Sequence, residues 1–322
     1  MYDVISVGDT TKDVFLEVSD ATVHCRLNEA MCQICFDHAA KIGVNKLTKI
    51  SGVGNAANVS VGVTRLGLSS AIYTVVGDDQ TGREIKELFK NEKLSTKYVV
   101  TDKERPSNYS VVINFQGERT ILVYHEHRKY ALPEFPRAKW LYYTSVAAGH
   151  DPLHKEIPSY VRRTNTRLAF NPGTYQLEED VEKVKPVLEV TDLIFLNREE
   201  AMHFGGKSRD IRTLARNIQK LGPKVVVITD GPEGSYVLRD SALYYMGIFP
   251  SKMVERTGSG DSYASGFLSG LIQTEHVREA MRWGTFNASH VVQFIGAQEG
   301  LLRKASMTKM LNKHPRYTAK EL

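Results

Sequence analysis

Only three cysteines occur in 322 residues, Cys25, Cys32 and Cys35, and this small odd count excludes a disulfide-stapled scaffold. Cys32-Gln-Ile-Cys35 has metal-ligand spacing, with His24 and His38 close by. No second CxxC exists to complete the four ligands a structural zinc takes, so the thiols are read as reduced, in a small β-region. No apolar run approaches the ~20 residues that span a bilayer. Met1-Tyr2-Asp3-Val4 lacks the basic and apolar regions of a secretion signal, so a cytoplasmic chain with no membrane partner is expected. The net charge is only +5. The mild basic excess near the end (Arg303, Lys304, Lys309, Lys313, Arg316, Lys320) is not interleaved with aromatics. It reads as a solvated tail and not as a nucleic-acid surface. Neither the Walker lysine pattern nor G-x-G-x-x-G after a strand is present, and no internal repeat or low-complexity segment stands out.

What is present is ordinary globular composition, 42% hydrophobic and 25% charged, in a chain long enough to bury about three quarters of its unfolded surface. Tyr2 to Val7, Ala71 to Val76, Trp140 to Thr144, Arg167 to Phe170, Leu193 to Leu196 and Lys224 to Thr229 are short apolar runs that read as buried strands. Helical stretches separate them: Gly54 to Leu66, Thr81 to Asn91 with Thr81 as N-cap, Leu153 to Arg163, Glu178 to Leu188 and Asp210 to Leu221. Strand-helix alternation implies a parallel sheet covered on both faces. Two long helices, Asp261 to Ile272 and Val277 to Phe294, close the core. Lys12 to Val18 alternates like a half-exposed strand. Ser107 to Phe115 and Arg119 to Tyr124, flanking Gln116-Gly117-Glu118, read as a hairpin, as do Ser235 to Arg239 and Ala242 to Tyr245. One α/β domain over 1–322 is expected. Excursions at about 13–50 and 97–127 would pair into a lid over the carboxyl ends of the strands, where ligands of such sheets bind.

The segment richest in chemistry is Thr257-Gly258-Ser259-Gly260-Asp261-Ser262, small residues running into a helix. The first amides of a helix lack internal partners and carry the positive end of its dipole. Gly258 and Gly260 let backbone approach a bulky anion, which makes a phosphate cradle. Asp261 in the first turn is ordinarily a helix cap. Beside such a cradle it can also take a hydroxyl proton while the loop stabilises charge on a transferring phosphoryl group.

With this stretch on the page, a resemblance becomes plain. Thr257 to Phe267 resembles the second signature of the PfkB carbohydrate kinase (ribokinase-like) family. Val53-Gly54-Asn55-Ala56-Ala57-Asn58-Val59 with Arg65-Leu66-Gly67 is similar to its first. Gly8-Asp9-Thr10-Thr11-Lys12-Asp13, Gly77-Asp78-Asp79 with Gly82, Asn197-Arg198-Glu199-Glu200, and Thr229-Asp230-Gly231 with Gly234 resemble its remaining elements, in the family's order. The resemblance implies a three-layer α/β/α sandwich with a mostly parallel central sheet and a small β-sheet lid. It implies ATP- and Mg2+-dependent transfer to a small polyol, a ribose- or fructose-like sugar. The same fold accommodates a nucleoside kinase, or a sugar- or nucleotide-binding module that has lost catalysis. By the resemblance Asp261 is the catalytic base, with Gly258, Ser259 and Gly260 in the anion hole. Asp13, Gly54, Asn55, Asn58 and the lid residue Asn108 would hold substrate. Asn197, Thr229, Gly231, Gly234 and Asn287 would line ATP, and Glu200 would organise magnesium through water. Glu255-Arg256 departs from the family's Asp-Thr, whose Asp commonly belongs to a monovalent-cation site, so activation by potassium is left open. Val53 stands where a glycine is usual.

Other residues are weighed more evenly. Arg119 could reach an anionic substrate group or be a solvated hairpin arginine, and the second is preferred. His125 and His127 share one face of a strand and read as solvent-facing. Asn171-Pro172-Gly173 either borders the site or is a plain turn. An exposed lid edge would invite pairing into a homodimer.

Overall fold

The computed structural model describes residues 1–25, 32–116 and 118–322. Ten strands make one large sheet. In spatial order they are Ser95–Asp102, Ser70–Gly77, Tyr2–Val7, Ala138–Tyr143, Arg167–Phe170, Leu193–Asn197, Val225–Thr229, Ser235–Arg239, Ala242–Met246 and Lys320–Glu321. The first seven are mutually parallel, and beyond Val225–Thr229 each neighbour is antiparallel.

The two-residue period of the strands feeds two cores. Ile5, Leu141, Leu168 and Ile194 pack on the helices Asp151–Thr164, Val181–Leu188, Arg198–Gly205 and Ile211–Lys220. Val4, Trp140, Ala169 and Phe195 face Asn55–Arg65, Ser259–Thr274 and Val277–Val291. A parallel sheet must be covered on both faces, and the result is the expected three layers. No helix among the described residues is long and apolar enough to cross a membrane.

A separate four-stranded sheet, in the order Val44–Val53, Thr11–Val18, Asn108–Phe115 and Glu118–Tyr124, forms the lid. Its central pair is parallel and its outer pairs antiparallel. The edge strand exposes Ile121, Leu122, Val123 and Tyr124. Two ties fasten the sheet to the body. Asp79 caps the helix Gln80–Asn91 by accepting from Gly82 N (2.7 Å), and it also accepts from the amide and hydroxyl of Ser107 (2.7 Å each), the residue that enters the lid. On the same helix Glu84 accepts from Lys12 Nζ (2.8 Å) and Ser51 Oγ (2.6 Å), both on lid strands.

Several expectations change. Asp79 displaces Thr81 as N-cap because its carboxylate reaches the third amide of the helix. Ser95–Asp102 belongs to the edge of the large sheet, so the second lid excursion begins at Asn108 and not near 97. Cys25 and Cys32 form a disulfide in place of the expected reduced thiols, because the hairpin Thr22–Cys25/Cys32–Cys35 sets them opposite one another. Cys35 remains free. The basic end is not a solvated tail: Lys304–Lys313 is a helix that buries Met307, and Lys320–Glu321 extends the large sheet. Gly117 of the hairpin signal lies outside the described residues.

Asp79→Ala removes a helix cap and the acceptor for the Ser107 amide. A loss of about 2–3 kcal/mol in unfolding free energy is expected, read from the midpoint of urea denaturation. A shift below about 0.5 kcal/mol would mean that the tie contributes little.

Candidate active site

The glycine loop turns into the helix Ser259–Thr274 through Gly258, whose φ of 73° lies in the left-handed region where a side chain is strained. A Cβ there would also run into Ala297, whereas one on Gly260 would meet open space. The helix start is therefore packed behind and free in front. Within the loop Ser259 N donates back to Arg256 O (3.2 Å). The amides of Gly260 and Asp261, in the first turn, are those that helical geometry leaves without internal acceptors.

Asp261 is 8% exposed. Its Oδ2 accepts from Asn58 Nδ2 at 2.8 Å, and Asn58 Oδ1 accepts from Gln298 Nε2 at 3.0 Å. Burial lifts the carboxyl to about 6, against the smaller lowering by the Asn58 amide. Asn58 comes from the helix Asn55–Arg65, so the two signature segments meet at this bond. Gly54, with φ of 106°, precedes that helix. Its Cβ position lies 2.9 Å from the Asp9 carbonyl, so only glycine allows the lid strand Val44–Val53 to turn here. Asn55 is half-buried in the first turn.

Above this floor lies the lid. The cross-strand pairs Thr11–Asn108 and Asp13–Ser110 share a face. Asp13 Oδ1 and Asn108 Nδ2 are buried without a hydrogen-bond partner among the described residues, as are Thr10 Oγ1 and His125 Nδ1. Burial raises the Asp13 carboxyl to about 6, and the nearby Glu255 adds to the rise. Asn108 Oδ1 accepts from Glu126 N at 3.1 Å. Asp9, at the end of the first strand, accepts from Tyr130 Oη with both oxygens (2.8 Å) and from Ala147 N (2.8 Å).

On the other flank, Asn197 and Glu200 form a reciprocal capping box at the start of Arg198–Gly205: Asn197 Oδ1 accepts from Glu200 N and Glu200 Oε2 from Asn197 N, both 2.9 Å. Glu200 is pushed up by burial and also by the negative charge of Asp261. Glu200, a carboxylate with no cation paired to it among the described residues, is an oxygen donor of the kind magnesium takes with its waters. Thr229 sits at the end of its strand beside Asn197. Gly231 faces open space, and Gly234 (φ 95°) backs onto Met246.

Asn287 departs from the expectation. It is fully buried. Its amide donates to Ser262 O (2.8 Å) and Ser265 Oγ (3.1 Å), and its carbonyl accepts from Leu302 N (2.9 Å). It pins two helices together and is not brought to the cleft. Arg119 is exposed, as expected of a hairpin arginine, but it is not without a partner: it pairs with Glu255 Oε1 at 2.7 Å and reaches Thr257 Oγ1. The other Glu255 oxygen accepts from Gly296 N at 2.9 Å. Arg256 is exposed. His125 is half-buried beside Asp9, and burial lowers its basicity, unlike the exposed His127. Asn171 lies at the edge of the floor, its Nδ2 bonded to Phe195 O at 3.0 Å. Tyr130 and Gln298 carried no sequence signal. Asp9 stood inside a quoted motif but was not singled out.

Comparison with known proteins agrees with this geometry. A 5-dehydro-2-deoxygluconokinase of Geobacillus kaustophilus is 29% identical over 289 residues, covering 83% of this chain and 86% of the relative. A nucleoside kinase of Methanothermobacter thermautotrophicus is 26% identical over 304 residues, covering 93% of this chain and 92% of the relative. The fold is that of Arabidopsis thaliana ribokinase, solved with ribose and ATP, at a TM-score of 0.80 and 19% identity, with 96% of this chain and 98% of that one covered. The pfkB family carbohydrate kinase pattern matches residues 31–304. With both signatures meeting at the Asn58–Asp261 bond, the chain belongs to the pfkB family of carbohydrate kinases, phosphotransferases that act on an alcohol acceptor.

Proposed function

We propose that this chain transfers the γ-phosphoryl group of ATP to a hydroxyl of a ribose- or fructose-like sugar, with Asp261 as general base. The observation that carries the reading is the buried Asp261 carboxylate, held by Asn58 at the open start of a helix and kept near pKa 6 by burial. A base of that strength is ionised at neutral pH yet still able to take a proton. ATP would supply the phosphoryl group, and a bound magnesium ion would neutralise charge on its oxygens. Glu200 and Asn197 would hold the ion through water, and Thr229, Gly231 and Gly234 would border the nucleotide. Asp261 orients the acceptor hydroxyl and receives its proton as the new phosphate ester bond forms and the β–γ anhydride bond of ATP breaks, with ADP as the leaving group. The Gly260 and Asp261 amides, with the helix dipole, stabilise charge on the phosphoryl oxygens, while Gly258 shapes the turn. Asp13 and Asn108 have an unmet acceptor and an unmet donor that suit sugar hydroxyls. The polar lid pairs Thr11–Asn108 and Asp13–Ser110 favour a sugar over a nucleobase, which would want an apolar or aromatic face there.

Turnover of ATP against a panel of pentoses, hexoses and nucleosides tests the assignment. A sugar is expected to be the better acceptor, and a nucleoside turned over faster than every sugar would select the alternative. Asp261→Asn should keep sugar binding and lose at least about a thousandfold in kcat. The same variant should be the more stable protein. The folded-state carboxyl is raised from 3.8 to about 6, so its ionised form opposes folding fully above pH 6, and the cost is relieved as pH falls through 6. At pH 7 that cost is about 3 kcal/mol, which the neutral amide avoids. Near-normal turnover, or lower stability at pH 7, would overturn the role given to this carboxylate.

The pH profile follows from the same group. The base works when deprotonated, so kcat/KM should fall about tenfold per pH unit below about 6 and level off above it. A flat profile between pH 5 and 7 would be inconsistent with Asp261 as the base.

Glu255 already has a fixed cation, Arg119, on its carboxylate. Rates in potassium, sodium and a bulky organic cation at equal ionic strength should therefore agree within about twofold, since the guanidinium is permanently charged. Strong activation by potassium would show that the ion pair gives way to a bound ion.

A further inference from the structure

A second polar cluster lies outside the cleft just described, where the loop after Ala138–Tyr143 enters the helix Asp151–Thr164. His150 is the N-cap of that helix and His154 lies one turn on, so both imidazoles project from one face. Across from them stands Glu179, in the turn before Val181–Leu188. His150 and His154 are 4% and 5% exposed. Glu179 Oε2 lies 3.5 Å from His150 Nε2 and 3.5 Å from His154 Nδ1. One ligand atom from each residue falls within 4.8 Å of those of the other two. Of the atoms in these two contacts, His150 Nε2 and Glu179 Oε2 are buried without a hydrogen-bond partner among the described residues, and burying such groups unpaired is costly.

We propose that His150, His154 and Glu179 bind a divalent transition-metal ion of the zinc type. Three features support this over a plain ion pair. The two 3.5 Å separations are too long for good hydrogen bonds, yet they match the ~3.4 Å edge of a tetrahedron with bonds of about 2.1 Å. His150 Nδ1 lies 2.8 Å from Ala147 O, and a carbonyl can only accept. The proton therefore sits on Nδ1, and the Nε2 lone pair points at Glu179. This backbone-anchored imidazole is the outer-shell arrangement that fixes the tautomer of a metal-binding histidine. Finally, two imidazoles and one carboxylate, with no thiolate, form a donor set that suits zinc with a fourth position for water. Ala147 ties this cluster to the cleft, since its carbonyl accepts from His150 and its amide donates to Asp9. A bound ion would brace the loop that orients Asp9, without touching the reacting atoms.

The test uses the full-length protein, stripped with EDTA, dialysed against Zn2+ and desalted, with metal measured by mass spectrometry. One retained equivalent per chain and a higher thermal midpoint with Zn2+ are expected. Glu179→Gln, which is nearly isosteric, and His154→Gln should each weaken Zn2+ binding by about a hundredfold or more and abolish the thermal shift. His38→Gln, at an exposed histidine, should leave both unchanged. Circular dichroism checks that the variants fold, and Glu179→Gln alone decides the matter if His154→Gln does not. Failure of the wild-type protein to retain zinc would overturn the proposal, leaving a triad bridged by water. Equal retention by Glu179→Gln would overturn it too, placing the ion on surface groups.

Discussion

A carboxylate shut away from water is the constraint around which the rest of the molecule is arranged. Asp261 and Asn58 are 203 residues apart in sequence, and their bond forms only if the helices carrying them cross closely. Small residues make that crossing. A Cβ on Gly62 would strike Ser265, and one on Gly266 would come within 2.6 Å of the Trp283 carbonyl. Asn287 then stitches the Asp261 helix to the next one through Ser262 and Ser265. The alternation of glycine and serine from Gly258 to Gly270 thus serves two ends: an open amide cradle at the front and close helix packing behind. The ionised carboxylate costs about 3 kcal/mol, a sizeable part of a typical 5–15 kcal/mol of stability. The two apolar cores on either side of the sheet are what make that strain tolerable.

The lid is positioned by charges and caps more than by apolar contact. Its strands leave the body at Thr11, Val53 and Asn108, and at each exit a polar tie sets the angle: Glu84 holds Lys12 and Ser51, Gln298 donates to Gly52 O at 2.7 Å, and Asp79 grips Ser107. Each tie lies beside an exit point, so the far edge of the lid is free to be mostly exposed. The side chains that meet beneath the lid, Asp13, Asn108 and Thr10, have polar atoms with no internal partners. The small sheet is fixed at its roots and carries unmet hydrogen-bonding groups on its underside among the described residues.

How much of this was legible in the sequence depended on whether the signal was local. Buried parallel strands announce themselves as short apolar runs, so Tyr2–Val7 and Arg167–Phe170 were readable to the residue. The glycine loop and Asp261 were readable because helix-start chemistry is local. Ser95–Asp102 was not. Its half-exposed edge position carries charged and polar residues, and only pairing with Ser70–Gly77 assigns it to the large sheet. The end of the chain was misread for a similar reason, since its basic residues mask the single buried Met307 that anchors the last helix. Asn287 was given to ATP by the resemblance alone, and only its three partners show it holding helices together. Tyr130 and Gln298 left no mark, because each acts on a partner more than a hundred positions away.

The Glu255 junction shows how one substitution of motif character can be absorbed. A longer carboxylate in place of aspartate reaches Gly296 N with one oxygen and Arg119 with the other. Arg119 sits on the exposed lid strand, whereas Glu255 leads directly into the glycine loop. The pair therefore ties the small sheet to the segment that enters the glycine loop. Its charge also reaches Asp13, whose carboxyl is pushed up chiefly by burial, with Glu255 adding to the rise and Ser110 and Arg119 drawing it down.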